Sequence, residues 1–327
     1  VTSIKKINIG ILGAANIATR SVIPALCSLK ETYTFSSIAS RNEESLKTLK
    51  NSYHIQTYTS YKKLLEEANI DAVYIPLPTG LHYPWVKSAL EKKLHVLVEK
   101  SLATTHEESQ ELNTLAKKNN LVLLENFQFR CHPQYKFLVD IINSKELGEL
   151  RCLRASFGFP PFASKDNIRY KPELGGGALL DAGAYTTKIS QLLLGEDLKV
   201  RAASLHYDSS LGVSLYGGAY LENQQGISSQ IAFGFDNQYQ CGIELWGSKG
   251  LLKTNRLFTA PENFEPEFSI TNSSSTKIFK VEKANHFVEM LKYFQNLIFN
   301  QKNLEKEYSA NNDQARLLSE ILKKSSL

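Results

Sequence analysis

The sequence predicts two α/β domains of different kinds. The first is a doubly wound parallel sheet with helices on both faces, and the second is an α+β domain with a mostly antiparallel sheet. Three observations predict this. The chain has 327 residues, enough for two domains that each bury a core. Up to residue 125, short and nearly continuous apolar runs alternate with amphipathic stretches of about 8–14 residues, the pattern of parallel strands buried by crossover helices. After Arg130 the runs instead alternate in polarity or carry aromatics, as strands with one wet face do. The predicted boundaries are 1–125 and 126–327.

The strands expected in the first domain are Asn8–Leu12, Phe35–Ala39, Ala72–Ile75, His95–Val98 and Val122–Leu124. Between them lie helices over Ile17–Leu29, Glu43–Asn51, Tyr61–Ala68, Leu81–Lys92 and His106–Asn119. Lys5-Lys6 before the apolar run Ile7–Ala18 resembles the start of a signal peptide. A buried strand turning through small residues into a helix is the reading adopted. In the second domain a helix over Pro133–Asn143 precedes a strand at Leu150–Phe157. A loop rich in Pro and aromatics then leads to Gly175-Gly176-Gly177, which opens a helix Ala178–Leu194. Further strands are expected at Val200–Tyr207, Val213–Leu221, Ser228–Phe235, Gln240–Trp246 and Leu251–Asn255, and helices at Asn285–Phe299 and Asp313–Lys324.

Composition narrows the function. The formal charge is 38 − 33 = +5 and is spread along the chain, which gives no electrostatic case for nucleic acid. Apolar runs fall short of the ~20 residues of a membrane-spanning helix. Cysteines 27, 131, 152 and 241 show no metal or disulfide spacing, so reduced thiols in the cytoplasm are expected. The histidines likewise lack metal-ligand spacing, and His132, next to Pro133, reads as a helix-start cap.

Gly13-Ala14-Ala15-Asn16-Ile17-Ala18 follows the first strand and opens a helix, the setting of a dinucleotide fingerprint. Gly13 makes the tight turn and Ala18 permits close helix–strand packing. Ala15 stands where a second Gly usually lets the backbone approach the pyrophosphate. At the end of the second strand an NAD site has a carboxylate for the ribose 2′-OH. Here Ser40-Arg41 offers a hydroxyl and a guanidinium, which suit a 2′-phosphate, so NADP(H) is predicted over NAD(H). Lys100 ends the fourth predicted strand at its carboxyl end, where open α/β sheets put ligands. Asp181 and Tyr185 are i and i+4 on a helix otherwise rich in Ala and Leu. A Tyr beside a Lys can protonate a carbonyl oxygen under reduction, the ammonium stabilising the phenolate. The plainer alternatives are an interface aromatic for Tyr185 and a helix-dipole carboxylate for Asp181.

Five motifs in order, Ile9–Ala18, Pro76–His82, Val98–Lys100, Glu125–Gln134 and Gly175–Tyr185, resemble the signatures of the glucose–fructose oxidoreductase / inositol dehydrogenase (Gfo/Idh/MocA) family. The resemblance implies a Rossmann domain and a C-terminal domain with a large open sheet whose outer face builds homodimers or homotetramers. It also implies NAD(P)-dependent redox chemistry on a sugar or cyclic polyol. Tyr185, with Asp166-Asn167-Ile168-Arg169-Tyr170 ahead of the glycines, is similar to nucleotide-sugar 3-ketoreductases and to dihydrodiol dehydrogenases. By that resemblance Lys100 and Tyr185 are the catalytic pair and Asp181 orients substrate hydroxyls. Gly13, Ala14, Ala15, Asn16, Ile17, Ser40, Arg41, Leu77, Pro78, His82, Glu99 and Lys100 line the cofactor, and Arg169 reaches a substrate phosphate.

Two positions depart from the family pattern. Thr79 replaces an Asn, which weakens contacts expected to the nicotinamide ribose. Ser101 replaces the Pro of Glu-Lys-Pro, and because non-proline residues strongly favour the trans bond, a trans Lys100–Ser101 bond, or a strained one held by the cofactor, is expected. The leading expectation is NADPH-dependent reduction of a 3-keto nucleotide sugar. The alternatives are an NADP-dependent dehydrogenase of a free sugar, polyol or dihydrodiol, and a non-catalytic NADP-binding sensor.

Overall fold

The computed structural model describes residues 6–326; Lys5 of the Lys5-Lys6 pair lies outside them. Two compact units emerge, Val1–Asn126 with Phe287–Asn312, and Phe127–His286 with Asp313–Leu327.

The first unit is a six-stranded parallel sheet. Its strands are β1 (Ile7–Leu12), β2 (Tyr33–Ala39), β3 (Gln56–Tyr58), β4 (Ala72–Ile75), β5 (His95–Glu99) and β6 (Leu123–Asn126). Their order is β3-β2-β1-β4-β5-β6, so the chain reverses direction of travel between β1 and β4. The carboxyl ends of those two strands form the crevice in which such sheets bind ligands. β1 and β4 are almost wholly buried, as their unbroken apolar runs require. β3 is three residues long with none of them buried, so it carried no apolar signal in the sequence.

Five helices fill the crossovers: α1 (Ile23–Ser28), α2 (Glu43–Tyr53), α3 (Tyr61–Glu67), α4 (His82–Glu91) and α5 (His106–Asn119). The helix expected over Ile17–Leu29 divides into a π-helical turn, Ala18–Val22, and α1, with Pro24 in the first turn of α1. α5 begins with a reciprocal cap in which Thr105 accepts from Glu108 N–H and Glu108 accepts from Thr105 N–H.

The second unit opens with α6 (Pro133–Ser144) and holds an eight-stranded sheet. Its strands are β7 (Leu150–Gly158), β8 (Lys199–Asp208), β9 (Val213–Glu222), β10 (Ser228–Gly234), β11 (Gln240–Gly247), β12 (Leu251–Thr254), β13 (Glu267–Thr271) and β14 (Thr276–Lys280). The order is β14-β13-β12-β11-β7-β10-β9-β8; β7 and β10 pair parallel and the other pairs antiparallel. α7 (Ala184–Leu194) packs on β7 and β10. β13 and the edge strand β14 were not expected, because their runs are short and β14 is mostly exposed.

Two further helices close the chain, α8 (His286–Asn300) and α9 (Leu304–Ser325). The expected division at 126–327 is corrected here, since residues 287–312 pack with the first unit. In that unit the Tyr33 hydroxyl donates to Leu291 O, the Tyr308 hydroxyl to Leu121 O, and Asn311 Nδ2 to Leu123 O and Asn113 Oδ1. These contacts are polar, so residues 304–312 showed no apolar period and α9 begins nine residues before the expected Asp313. Among the described residues no helix is long and apolar enough to cross a membrane.

Candidate active site

In the first unit Gly13 ends β1 with φ +116°, its N–H donating to Ala39 O. A side chain there would meet Leu77 Cδ2 at 2.8 Å, so the position demands glycine on both conformational and steric grounds. Ala14, Ala15 and Ile17 are half-buried and Asn16 is exposed along the turn that follows. Ala18 is fully buried.

At the end of β2 the buried Ser40 hydroxyl accepts from Asn42 N–H, and Asn42 in turn caps α2. Arg41 stands exposed between them. This turn carries no carboxylate, and its exposed guanidinium fits a 2′-phosphorylated dinucleotide whose pyrophosphate lies over the Gly13 turn. Leu77 and Pro78, after β4, form the other lip of the crevice, and Thr79 begins a short 3₁₀ turn leading into α4.

Glu99 ends β5 and Lys100 follows it. One Glu99 carboxylate oxygen accepts from the Tyr74 hydroxyl at 2.7 Å and from Asn126 Nδ2 at 2.6 Å. Burial nevertheless raises its pKa, the hydrogen bonds and the neighbouring Lys100 opposing the shift. The Lys100–Ser101 bond is cis, correcting the trans bond expected from the loss of proline. Tertiary contacts hold the segment after it: Ser101 O lies 2.7 Å from His82 Nδ1, and Leu102 N–H donates to Glu125 Oε1 at 2.8 Å. His82, expected to line the cofactor, is fully buried, with both ring nitrogens turned to backbone carbonyls. It therefore supports the crevice from behind.

In the second unit the triple glycine folds back on the loop before it. Gly177 N–H donates to Arg169 O and Gly176 N–H to Lys171 O. A Cβ on Gly176 would meet those two oxygens at 2.6 and 2.8 Å, and Gly177 has φ +111°. The helix expected over Ala178–Leu194 starts as a π-helical turn, Leu179–Gly183, before α7. Asp181 lies in that turn and accepts from Arg169 Nε at 2.6 Å. Asp181 is the main influence holding the Arg169 guanidinium charged, with Tyr185 acting in the same sense. The guanidinium also lies 4.8 Å from the centroid of the Phe162 ring. Arg169 and Asp181, each expected to meet substrate, are also partners of each other.

Tyr185 is almost wholly buried. Its ring sits among those of Phe127, Phe129, Phe157 and Phe258, with centroids 5.0–6.1 Å away. Three residues along α7, the fully buried Lys188 places its ammonium 5.3 Å from the centroid of Phe127. The sequence reading missed this aromatic enclosure, Lys188, and the Tyr74 and Asn126 support of Glu99. A polar Glu125-Asn126 pair ending an otherwise apolar strand was the available signal for the last of these.

Residues 7–127 match an oxidoreductase family with an NAD-binding Rossmann fold, and residues 135–253 match the GFO/IDH/MocA C-terminal domain. The chain is 40% identical over 261 residues to a dTDP-3,4-didehydro-2,6-dideoxy-alpha-D-glucose 3-reductase of Saccharopolyspora spinosa, covering 80% of this chain and 78% of that one. It is 33% identical to a D-xylose 1-dehydrogenase (NADP(+)) of Haloferax volcanii, over 76% of each chain. A crystal structure of a 3-ketoreductase from Actinomadura kijaniata, in complex with NADP and TDP-benzene, superposes with a TM-score of 0.94 at 33% identity over 98% of both chains. A glycine turn at the switch point of a doubly wound sheet, a lysine at a strand end and an eight-stranded second sheet thus accompany similarity through both domains, and the chain belongs to the GFO/IDH/MocA family of oxidoreductases.

Proposed function

We propose that the protein is an NADPH-dependent reductase of a keto group, at C3, on a nucleotide-activated sugar. One observation carries this reading. Similarity to the 3-ketoreductase solved with NADP and TDP-benzene extends over 98% of both chains, so it spans the domains that would take cofactor and sugar nucleotide alike. Bound NADPH would supply the hydride. Gly13 to Ile17, with Leu77 and Pro78, would cradle the dinucleotide, and Ser40 and Arg41 would take its 2′-phosphate. Tyr185 would protonate the substrate oxygen, and the Lys100 ammonium would stabilise the phenolate left behind. The phenylalanine rings fix the phenol ring in one orientation, and Asp181 aims Arg169 by its Nε, leaving the outer edge of the guanidinium for substrate.

A second reading keeps the fold and the pair of residues but takes a free sugar as substrate; the Haloferax relative favours it. Fluorescence titration with NADPH, NADH and a panel of nucleoside diphosphates separates the two. Tight NADPH binding with saturable nucleotide binding supports the nucleotide-sugar enzyme. NADPH binding alone selects the free-sugar dehydrogenase. Absence of NADPH oxidation with 3-keto nucleotide sugars, cofactor binding intact, overturns the first reading.

The assembly we infer is a homo-oligomer built on the outer face of the second sheet. Cross-strand partners Tyr220, Gln230, Arg154, Glu244 and Lys253 form one row on that face, with Trp246 stacked on Arg154 and exposed. Light scattering on Trp246→Glu tests it, monomer being the expected outcome. None of Cys27, Cys131, Cys152 and Cys241 is in a disulfide, which suits a reducing compartment, and we place the enzyme in the cytoplasm.

A further inference from the structure

Arg169, Asp181 and Tyr185 form a connected group within the second unit. Arg169 Nε donates to Asp181 Oδ2 at 2.6 Å, and the guanidinium rests 4.8 Å from the centroid of the Phe162 ring. The backbone ties the same pieces together, since Gly177 N–H donates to Arg169 O and Asp181 N–H to Gly177 O. Tyr185 follows Asp181 by four residues, at the start of α7. The guanidinium is therefore held beside the N-terminal end of the helix that carries the phenol.

The charge of Asp181 is the main influence keeping Arg169 ionised; burial opposes it, while the hydrogen bond from Asp181 and the nearness of Tyr185 add to it. The attraction between Arg169 and Tyr185 is mutual, so the guanidinium favours the phenolate as the phenolate favours the guanidinium. Asp181 acts in the opposite sense, because a carboxylate disfavours a second negative charge nearby. Lys188, over the Phe127 ring that packs on Tyr185, is a further basic group on the same helix. The four rings packed on the phenol are phenylalanines and bring no charge.

We propose that Arg169 and Asp181 are a positioning pair for the Tyr185 proton: the guanidinium favours the phenolate left after proton transfer, and Asp181 both fixes the guanidinium and limits its effect. A phenol that is too basic gives up its proton slowly. One that is too acidic stands ionised at the working pH and has no proton to give. A cation held against a carboxylate lies between those extremes. The inference rests on the proposed role of Tyr185 as proton donor, and it gives Arg169 a part in turnover besides contact with a substrate phosphate.

The test is ¹³C NMR of protein labelled at tyrosine Cζ, with the Tyr185 signal assigned by its loss in Tyr185→Phe. Titration runs from about pH 7 to about pH 11, across the ordinary tyrosine value of about 10. Wild type is compared with Arg169→Gln and with Asp181→Asn, which keeps an oxygen for Arg169 Nε. Arg169→Gln is expected to raise the Tyr185 midpoint by about one unit, and Asp181→Asn to lower it by a similar amount. A pair with a structural role alone would move both midpoints the same way or neither, and either result overturns the proposal. The alkaline limb of kcat, where the phenol loses its proton, should move with the midpoints. A raised KM for the sugar nucleotide in Arg169→Gln with that limb unmoved also overturns it, leaving Arg169 as a phosphate ligand. Should one variant fail to fold, the direction of shift in the other decides. If Tyr185→Phe keeps wild-type turnover, the role of Tyr185 as donor fails, while the effect of the pair on the phenol stands on the titration.

Discussion

Lys100 and Tyr185 are held by different kinds of force. Around Lys100 the supports are directional: Tyr74 and Asn126 on Glu99, Glu125 on Leu102 N–H, and His82 on Ser101 O. Around Tyr185 the supports are the rings of four phenylalanines, with centroids 5.0–6.1 Å from its own. A hydrogen-bonded strand end can place a charge to within a fraction of an ångström and stays partly open to ligand. An aromatic enclosure fixes a ring plane by packing and belongs to the core of its domain. Function and stability should accordingly separate at the first position and merge at the second.

The largest expected effect tests the first half of that contrast. Lys100→Ala should lower kcat by about 10²–10⁴-fold, the usual range for loss of a proton-handling group, with the melting temperature nearly unchanged. Steady-state NADPH oxidation and a thermal melt on the same preparation read both. A large drop in melting temperature would mean that Lys100 is a structural residue and the separation false. At the second position Phe127→Ala should cost about 3–5 kcal/mol of stability, because it removes a buried ring that packs on Phe129 and Tyr185 and lies under the Lys188 ammonium. Denaturant unfolding checks this, and an unchanged midpoint would show the enclosure to be a loose wall.

The same contrast explains what the sequence revealed. Gly13 and Lys100 were found because switch-point ligand sites follow from strand order, and strand order follows from apolar runs such as those of β1 and β4, whereas Leu77 was named through the family resemblance alone. Arg169 and Asp181 were each named, yet their pairing was hidden. It depends on the Gly176–Gly177 fold-back, which brings the loop carrying Arg169 against the π-helical turn that carries Asp181. Lys188 and the early half of α9 were missed for a related reason. Periodicity reports apolar burial, whereas Lys188, Asn311 and Gln314 are polar side chains inside their units.

Buried histidines sharpen the comparison through pH. His286, in the second unit, is buried beside His132, with ring centroids 6.2 Å apart. Burial first, and His132 second, lower its pKa from 6.5 to about 4. The folded protein thus binds this proton less readily than the unfolded chain. The stability linked to it is full above pH 6.5 and is lost as pH falls through that window toward 4, by about 3 kcal/mol in total. Urea unfolding at a series of pH values should show this slope, and His286→Phe should flatten it. His82→Phe should flatten it too, because burial first, with Lys100 acting in the same sense, lowers the His82 pKa to about 4. A slope unchanged in both variants would show that neither ring is held neutral in the folded protein.

The smallest effect expected lies at Arg41. Its side chain is exposed, so Arg41→Ala should leave folding untouched and act on the cofactor alone. A charge-assisted bond to a phosphate is worth about 1.5–3 kcal/mol, so the preference for NADPH over NADH should fall by roughly 10–100-fold. NADH binding should stay constant, because the lost partner is the 2′-phosphate and Ser40 remains to meet a ribose hydroxyl. Parallel fluorescence titrations with the two cofactors measure the ratio directly. If Arg41→Ala weakened both equally, the guanidinium would be acting on the pyrophosphate or the adenine. Discrimination would then have to come from Ser40 and the α2 cap behind it.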